Sequence, residues 1–140
     1  MQKIEKEYTM KISQIINRLA APILLITGLI FAPAAANASC RIFQHRDYGG
    51  SGYTLLNKDR MLMVNAPEVL TTTNGHGERL IYQPSWNDQV SSFKVTDGCV
   101  LTLWQHINQG GARFRSSRSY LYVGDRWNDE VSEALCTCPG

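Results

Sequence analysis

The sequence has 140 residues, with 14 basic and 12 acidic side chains and a formal net charge of +2. The excess positive charge lies in the first 38 residues, because residues 39–140 contain ten basic and ten acidic side chains. A domain without net charge offers no long-range attraction to nucleic acid or to an anionic membrane surface. Neither class of partner is therefore expected.

The first 38 residues are predicted to be a secretory signal peptide. Residues 20–31 form an apolar run that is short for a membrane span, and it follows Lys11 and Arg18. The small-x-small triplet Ala36-Asn37-Ala38 follows it, as at a signal cleavage site. Met10 is a better start for such a signal than Met1. Removal of the signal would leave a secreted or periplasmic protein that is not bound to a membrane.

Residues 39–140 are long enough for one domain and contain all four cysteines of the chain. In a small exported domain, four cysteines indicate two disulfide bonds. Cys136 and Cys138 would lie on the same face of an extended strand, and a bond between them would be strained. Each is expected to bond to Cys40 or Cys99, in an order left open. Lipidation of Cys40 is a weaker alternative.

Short alternating runs of apolar and polar residues predict strands, and no stretch has a sustained helical period. In chain order these runs cover residues 41–44, 93–95, 99–104 and 120–123. Gly, Asn, Asp and Ser separate them, which is typical of tight turns. The pattern predicts an all-β domain, either a sandwich or a barrel.

The domain contains two copies of one ordered set of motifs. Trp86-Asn87-Asp88-Gln89-Val90-Ser91-Ser92 returns as Trp127-Asn128-Asp129-Glu130-Val131-Ser132-Glu133. Upstream, Phe43-Gln44-His45 returns as Trp104-Gln105-His106, each preceded by a cysteine and followed by a Gly-Gly pair. This duplication predicts two Greek-key units, at about residues 40–95 and 99–138, related by an approximate two-fold axis.

The first unit is longer than the second by about 20 residues, and the extra segment falls within residues 61–82. It contains Asn74-Gly75 and three consecutive threonines, which predicts a protruding loop or an added hairpin. On a rigid scaffold, such an insert is either a plain surface loop or a loop that binds a partner.

The repeated motifs resemble those of the βγ-crystallin family. Greek-key units of that family open with an aromatic residue, four residues, an aromatic residue, one residue and a glycine. Phe43, Tyr48 and Gly50 match this pattern, whereas Gln109 replaces the middle aromatic residue in the second unit. Calcium-binding members carry two acidic or amide residues, two free positions, Ser or Thr, and then Ser. The first loop matches throughout, and the second departs only at Glu133.

The resemblance implies a two-sheet β-sandwich with two calcium sites at one end, each of which collects ligands from both loops. It implies side-chain ligands at the second and fifth motif positions, a backbone carbonyl at the third, and a shape-holding role for the first. The residues concerned are Asn87, Asp88, Gln89, Ser91, Asn128, Asp129, Glu130 and Ser132. Calcium prefers six to eight oxygen ligands, more than one short loop can supply.

Other residues do not indicate a second chemistry. The three tryptophans are expected in the core, and His45 and His106 form a matched surface pair without the spacing of a zinc site. Alternation in a strand would place Arg113 and Arg115 on one face. No nucleophile–base–acid set or glycine-flanked serine elbow is present, so the protein is not predicted to be an enzyme.

Three functions follow from these residues. The first is a secreted domain whose fold is stabilised by bound Ca²⁺. The alternative is a secreted inhibitor of metalloproteases, a class that shares this fold, with the insert at residues 61–82 contacting the protease. A further alternative is a module that binds a cell-envelope polymer or polysaccharide through exposed aromatic residues and the basic stretch at residues 113–118.

Overall fold

The computed structural model describes residues 37–140, in which short strands are separated by tight turns. Two single-turn 3₁₀ segments, Arg46–Tyr48 and Pro84–Trp86, interrupt the strands. The predicted signal peptide lies outside the described residues except for its last two positions. No helix within residues 37–140 is long and apolar enough to cross a membrane. The strands are β1 Ser39–Phe43, β2 Gly52–Leu56, β3 Asp59–Leu62, β4 Arg79–Tyr82, β5 Ser92–Val95, β6 Val100–His106, β7 Gly110–Ser116 and β8 Glu133–Thr137.

The strands form two sheets, with orders β2-β1-β5 and β4-β3-β8-β6-β7. All pairs are antiparallel except β3 with β4. The two halves of the sequence exchange segments, because β3 of the first half pairs with β8 of the second. In return, Tyr120 of the second half forms a bridge with Phe93 in β5. This confirms the all-β, two-sheet Greek-key architecture expected from the sequence.

The core lies between the sheets and follows from the two-residue period of the strands. In β1, Cys40 and Ile42 face inward and are fully buried, whereas Arg41 between them is exposed. Phe93 lies at the centre, with its ring 5.3 Å from that of Tyr120 and 5.9 Å from that of Phe114. Aromatic pairs at these distances stabilise a core beyond their buried area.

Two disulfide bonds connect the start of each half to the end of the chain. Cys40 bonds to Cys136 and Cys99 bonds to Cys138, over 96 and 39 residues respectively. This confirms the expectation that Cys136 and Cys138 each bond to Cys40 or Cys99, and it gives the pairing that the sequence left open. The sulfur atoms of three of these cysteines lie close together, but all four cysteines are oxidised and none is a free thiolate for a metal.

The Gly-Gly turns have the same geometry in both halves. Gly50 and Gly111 have φ values of 70° and 71°, in the left-handed region that favours glycine. A Cβ at Gly50 would lie 2.6 Å from the His45 ring, and one at Gly111 would lie 2.9 Å from the His106 ring. The matched histidines are exposed and rest on these glycines, which explains why the two residue types recur together.

The prediction of a strand at residues 120–123 is wrong, since this segment has only the single bridge to Phe93. Its hydrogen bonds diverge after that bridge. Leu121 accepts from the backbone N–H of Asp47, whereas the N–H of Val123 bonds to Ser91. Three residue steps from Tyr120 to Val123 are thus matched against two from Phe93 to Ser91, and this shift in register ends the ladder after one bridge.

The insert has a more specific structure than a surface loop. Residues 61 and 62 belong to β3, and residues 79–82 form β4, which pairs with β3 in parallel. Between them, a tight antiparallel turn around Asn74 is closed by the bridge from Thr73 to Arg79. The base of the insert is therefore part of the second sheet, and residues 65–73 are exposed.

Candidate metal centre

Each repeated loop is anchored by two buried apolar side chains. Trp86 and Val90 hold the first loop, and Trp127 and Val131 hold the second, all with at most 8% of their surface exposed. The tips of both loops, which carry the aspartates, are exposed. Burial at both ends therefore fixes each loop while its oxygen-bearing tip faces solvent.

The chain reverses at the aspartate of each loop. Asp88 and Asp129 have φ values of 54° and 59°, a conformation that aspartate tolerates because its short side chain bonds locally. The preceding asparagine donates a hydrogen bond from Nδ2 to the carboxylate Oδ2, at 2.7 Å in both loops. Asn87 and Asn128 therefore orient the carboxylates.

The loops face each other and are joined by a reciprocal pair of backbone hydrogen bonds. Asp88 N donates to Val131 O at 3.0 Å, and Asp129 N donates to Val90 O at 3.4 Å. Each bond runs from the aspartate N–H of one loop to the valine carbonyl of the other. The two loops are therefore related by an approximate two-fold axis that passes between them. The two aspartates are thus brought to one end of the sandwich.

A cleft of about 620 Å³, called the loop cleft below, opens where the two loops meet the turn after β1. Ser91 Oγ donates to Gln44 O at 2.7 Å, which places a hydroxyl and a backbone carbonyl together in its wall. Carboxylate, hydroxyl, amide and carbonyl oxygens predominate, and this donor set suits a hard cation such as Ca²⁺. The lining residues are Gln44, His45, Arg46, Asp88, Gln89, Ser91, Asn128 and Asp129.

The remaining predicted site residues, Asn87, Glu130 and Ser132, do not line the loop cleft. Ser132 donates its backbone N–H to Trp104 O, just as Ser91 does to Phe43 O. Among the hydrogen bonds of the described residues, however, the hydroxyl-to-carbonyl contact occurs for Ser91 and not for Ser132. The two serines therefore make matching backbone hydrogen bonds but differ in the contacts of their hydroxyl groups.

Arg46, which the sequence did not single out, places a cation at the edge of the loop cleft. Its guanidinium lies 3.6 Å from the centre of the Tyr122 ring and 3.8 Å from Asp125 Oδ1. Tyr122 also donates a hydrogen bond to Asp125 at 2.5 Å, which raises the pKa of the tyrosine hydroxyl. These contacts give Arg46 partners away from the two loop aspartates.

Comparison with solved structures identifies the fold. A βγ-crystallin domain from Flavobacterium johnsoniae matches at 24% identity and a TM-score of 0.51, over 72% of this chain and 96% of that one. The βγ-crystallin domain from Clostridium beijerinckii matches at 17% identity and a TM-score of 0.52, over 71% of this chain and 97% of that one. The protein has the βγ-crystallin fold.

One similar structure of the same fold contains a metal. It is a histidine double mutant of clostrillin in complex with nickel, which matches at 17% identity and a TM-score of 0.52, over 71% of this chain and 97% of that one. No protein-family model matches the chain, and no curated protein sequence matches it significantly. At these identities the likeness establishes the βγ-crystallin fold of this chain and not its ligand.

Within the βγ-crystallin fold, the second loop departs from the first at one buried position. Ser92 Oγ accepts a hydrogen bond from Tyr48 N at 3.1 Å, and Glu133 Oε2 accepts the matching bond from Gln109 N at 3.0 Å. Glu133 therefore takes over the role of the serine in the turn. It is also fully buried, and it places a carboxylate where the first half has the neutral hydroxyl of Ser92.

Arg60 of β3 provides the counter-ion for this buried carboxylate. Its Nη1 donates to Glu133 Oε1, and its guanidinium lies over the Trp104 ring at 5.4 Å. The side-chain amide of Gln109, turned so that its oxygen accepts, lies 3.2 Å from both terminal guanidinium nitrogens. The two departures of the second half from the βγ-crystallin pattern, at Gln109 and Glu133, thus meet on one arginine.

The same arginine binds the insert. Arg60 Nε and Nη2 donate to the two carboxylate oxygens of Glu78, at 2.5 and 3.0 Å. This hydrogen bonding lowers the pKa of Glu78, against the opposing effect of burial. Asn74 adds a hydrogen bond to Glu78 at 2.6 Å. The insert is therefore fastened to the second loop through Glu78, Arg60 and Glu133, a set called the ion relay below.

Proposed function

We propose that this protein is a secreted calcium-binding domain of the βγ-crystallin family in which bound Ca²⁺ stabilises the native fold. The observation that supports it is the reciprocal arrangement of the two loops, which opens oxygen donors from both onto the loop cleft. No set of side chains within residues 37–140 indicates catalysis. We therefore propose that the bound ion stabilises the folded state.

Asp88 and Asp129 would supply the charge for binding, and the Ser91 hydroxyl and Gln44 carbonyl would supply neutral donors. Backbone carbonyls of Gln89 and Glu130, together with Ser132, are the further ligands that the family pattern implies. With one aspartate per loop, the affinity should be modest, on the order of 10⁻⁴–10⁻³ M as in extracellular calcium modules.

Calorimetric titration of oxidised residues 39–140 with Ca²⁺ tests the proposal. The unmodified protein is expected to release or absorb heat in a saturable manner, and Asp88→Ala with Asp129→Ala should abolish it. Asp97→Ala is a matched control, because Asp97 is an exposed aspartate with a φ of 50° that does not line the loop cleft. Absence of saturable heat from the folded, unmodified protein would refute calcium binding.

Secretion is part of the proposal and depends on residues 1–38. When the full sequence is expressed in a bacterial host, the exported protein is expected to begin at Ser39 when its N-terminus is sequenced. Retention of the uncleaved chain in the cytoplasm would contradict it.

The insert supports a second candidate function, inhibition of a secreted protease. Val69 and Leu70, in its exposed part, are 83% and 60% exposed, whereas its base is held by β-pairing and by the ion relay. An exposed apolar segment on a fixed base is what a protein that occupies a cleft requires.

Residual activity of a panel of secreted metalloproteases at micromolar protein tests this second function. Val69→Asp with Leu70→Asp should relieve any inhibition, whereas Leu121→Asp, at an exposed leucine outside the insert, should not. Full protease activity with the unmodified protein would exclude inhibition of the enzymes tested.

A further inference from the structure

The three-stranded sheet carries unbalanced positive charge on its outer face. Its strands contain two charged residues, Arg41 of β1 and Lys94 of β5, and both are cations. They are register partners on adjacent strands, and Thr54 of β2 is the partner of Arg41 on the other side. All three side chains are exposed, whereas Ile42 and Phe93, their neighbours along the strands, are buried. The row of Thr54, Arg41 and Lys94, called the cation row below, therefore faces solvent.

Acidic side chains do not balance these two cations. Within residues 37–140, neither Arg41 nor Lys94 has a carboxylate within 4.0 Å. Asp47 and Asp97 follow β1 and β5 in the sequence, but both lie outside the strands and neither forms an ion pair with the cation row. Like charges on directly opposite residues of adjacent strands destabilise a sheet. A departure of this kind is expected at a functional site, and an anionic ligand would remove the repulsion.

A glycine and an aromatic ring hold Arg41 in place across the sheet. Its guanidinium carbon lies 5.2 Å from the centre of the Phe43 ring. A Cβ at Gly52, on the neighbouring strand, would lie 2.7 Å from Arg41 Nε, which is closer than two such atoms approach. Gly52 does not have a positive φ, so its backbone conformation does not require a glycine. A glycine inside a strand weakens the strand, and here it leaves the space that the arginine occupies.

The second cation of the row is oriented by a second ring. Lys94 Nζ lies 4.2 Å from the centre of the Tyr48 ring, and the rings of Tyr48 and Phe43 are 5.5 Å apart. Each ring of this aromatic pair therefore contacts one cation. Cation–π contacts restrict the charged groups before a ligand arrives, which lowers the entropy cost of binding.

We propose that the cation row binds an acidic polysaccharide through its carboxylate groups. Two cations held on two different rings call for two anionic groups, which a polymer with one carboxylate per sugar provides. The guanidinium of Arg41 suits a carboxylate through parallel N–H donors, and the ammonium of Lys94 suits a second one as a point charge. The exposed hydroxyl of Thr54 is a donor and acceptor for sugar hydroxyls. The cation row shares no residue with the loop cleft, and binding there requires no Ca²⁺.

Other anionic partners fit the cation row less well. A membrane surface would require apolar side chains that insert, and Leu56, which is 48% exposed, is the only large exposed apolar residue of this sheet. Nucleic acid is disfavoured because residues 39–140 have no net positive charge. An acidic polypeptide has carboxylates but lacks the hydroxyl groups of a sugar, and the experiment below distinguishes it.

Two-dimensional amide NMR of the oxidised domain, titrated at constant ionic strength, tests the proposal. A chelator removes Ca²⁺, so the result does not depend on calcium binding in the loop cleft. The probes are tetragalacturonate, its neutral methyl ester and tetraglutamate. Tetragalacturonate should shift the amide signals of Thr54 and Lys94 in a saturable manner, with a dissociation constant on the order of 1 mM, and the ester should bind about tenfold more weakly. No saturable shift with tetragalacturonate, equal binding of the ester, or tighter binding of tetraglutamate would overturn the proposal.

Three variants locate the binding site. Arg41→Gln with Lys94→Gln removes both charges and should abolish saturable binding. Gly52→Ala keeps both charges but displaces Arg41, and it should weaken binding about threefold. Arg113→Gln with Arg115→Gln, at two exposed arginines of β7, is the matched control and should leave the affinity unchanged. Unchanged affinity in folded Arg41→Gln with Lys94→Gln or in folded Gly52→Ala, or a loss of binding in the β7 control, would refute the assignment.

Discussion

Glu133 and Ser92 occupy matching places in the two halves, and each accepts a hydrogen bond from a backbone N–H of the preceding Gly-Gly turn, at 3.0 and 3.1 Å. The turn geometry is therefore the same with a carboxylate as with a hydroxyl. The difference is the buried charge of Glu133, which is balanced by Arg60 from a strand that begins the insert.

Arg60→Met is expected to reduce the free energy of unfolding by about 3–5 kcal/mol, because it leaves Glu133 buried without its counter-ion. Urea unfolding followed by tryptophan fluorescence measures the change. Arg118→Met, at an exposed arginine, should stay within about 0.5 kcal/mol of the unmodified protein. A loss below about 1 kcal/mol for Arg60→Met would show that Glu133 does not depend on this pair.

The effects of Arg60→Met and Glu133→Ser are expected not to add. Once the carboxylate is replaced by the serine of the first loop, the loss of the arginine should cost less, with a coupling of about 1–3 kcal/mol. A double-mutant cycle of urea unfolding gives this coupling directly. Additive changes in the free energy of unfolding would contradict a direct pair.

Acid is expected to weaken the attachment of the insert through Glu78. The pKa of this carboxyl is lower in the folded protein than its ordinary value of 4.5, so its stabilisation is complete above pH 4.5 and is lost as the pH falls through the folded pKa. Glu78→Gln should flatten the decline of unfolding free energy below pH 4.5, whereas Glu68→Gln should not. Identical pH profiles for the unmodified protein and Glu78→Gln would contradict this role.

The two disulfide bonds are expected to contribute unequally. In the chain-entropy description, closing 96 residues stabilises more than closing 39, by about 0.8 kcal/mol. Replacing Cys40 and Cys136 by serine should therefore lower the midpoint of thermal unfolding more than replacing Cys99 and Cys138. The reverse order would mean that native-state packing around the sulfurs outweighs loop entropy.

Ser91→Ala is expected to weaken calcium binding more than Ser132→Ala, because only the Ser91 hydroxyl contacts a carbonyl in the loop cleft. A loss of about tenfold in affinity is expected for Ser91→Ala. Thermal melts with and without Ca²⁺ provide a second readout, since binding to the native state alone adds about 2.7 kcal/mol at a hundredfold excess of the ion over its dissociation constant. Equal effects of the two substitutions would indicate that the sites are equivalent.

The features that the sequence predicted well are those repeated in it. The loop repeat and the Gly-Gly pairs depend on backbone conformations that few residues adopt, such as the left-handed φ of Gly50 and Gly111, so matching residues indicate matching structure. The disulfide order could not be predicted in this way, because Cys136 and Cys138 are only two residues apart. The strand predicted at residues 120–123 is wrong because alternation does not show where backbone hydrogen bonds lead.

The partner of Glu133 was also beyond prediction from sequence. Arg60 is 73 residues away, and only the exchange of β3 into the second sheet brings the two together. The departure of Glu133 from serine was the one available signal. It indicated an unusual second loop without identifying the cation that balances it or the connection to the insert.

The exchange of β3 for Tyr120 has a consequence for how the duplicated chain folds. The second half alone cannot complete the second sheet, because β3 and β4 of that sheet come from the first half. An isolated half would have to find a second copy in solution, at a rate set by its concentration. Joining the halves in one chain replaces that encounter with an internal one, at an effective concentration on the order of millimolar for a short linker. The tandem arrangement thus makes assembly of the sandwich independent of how much protein is present.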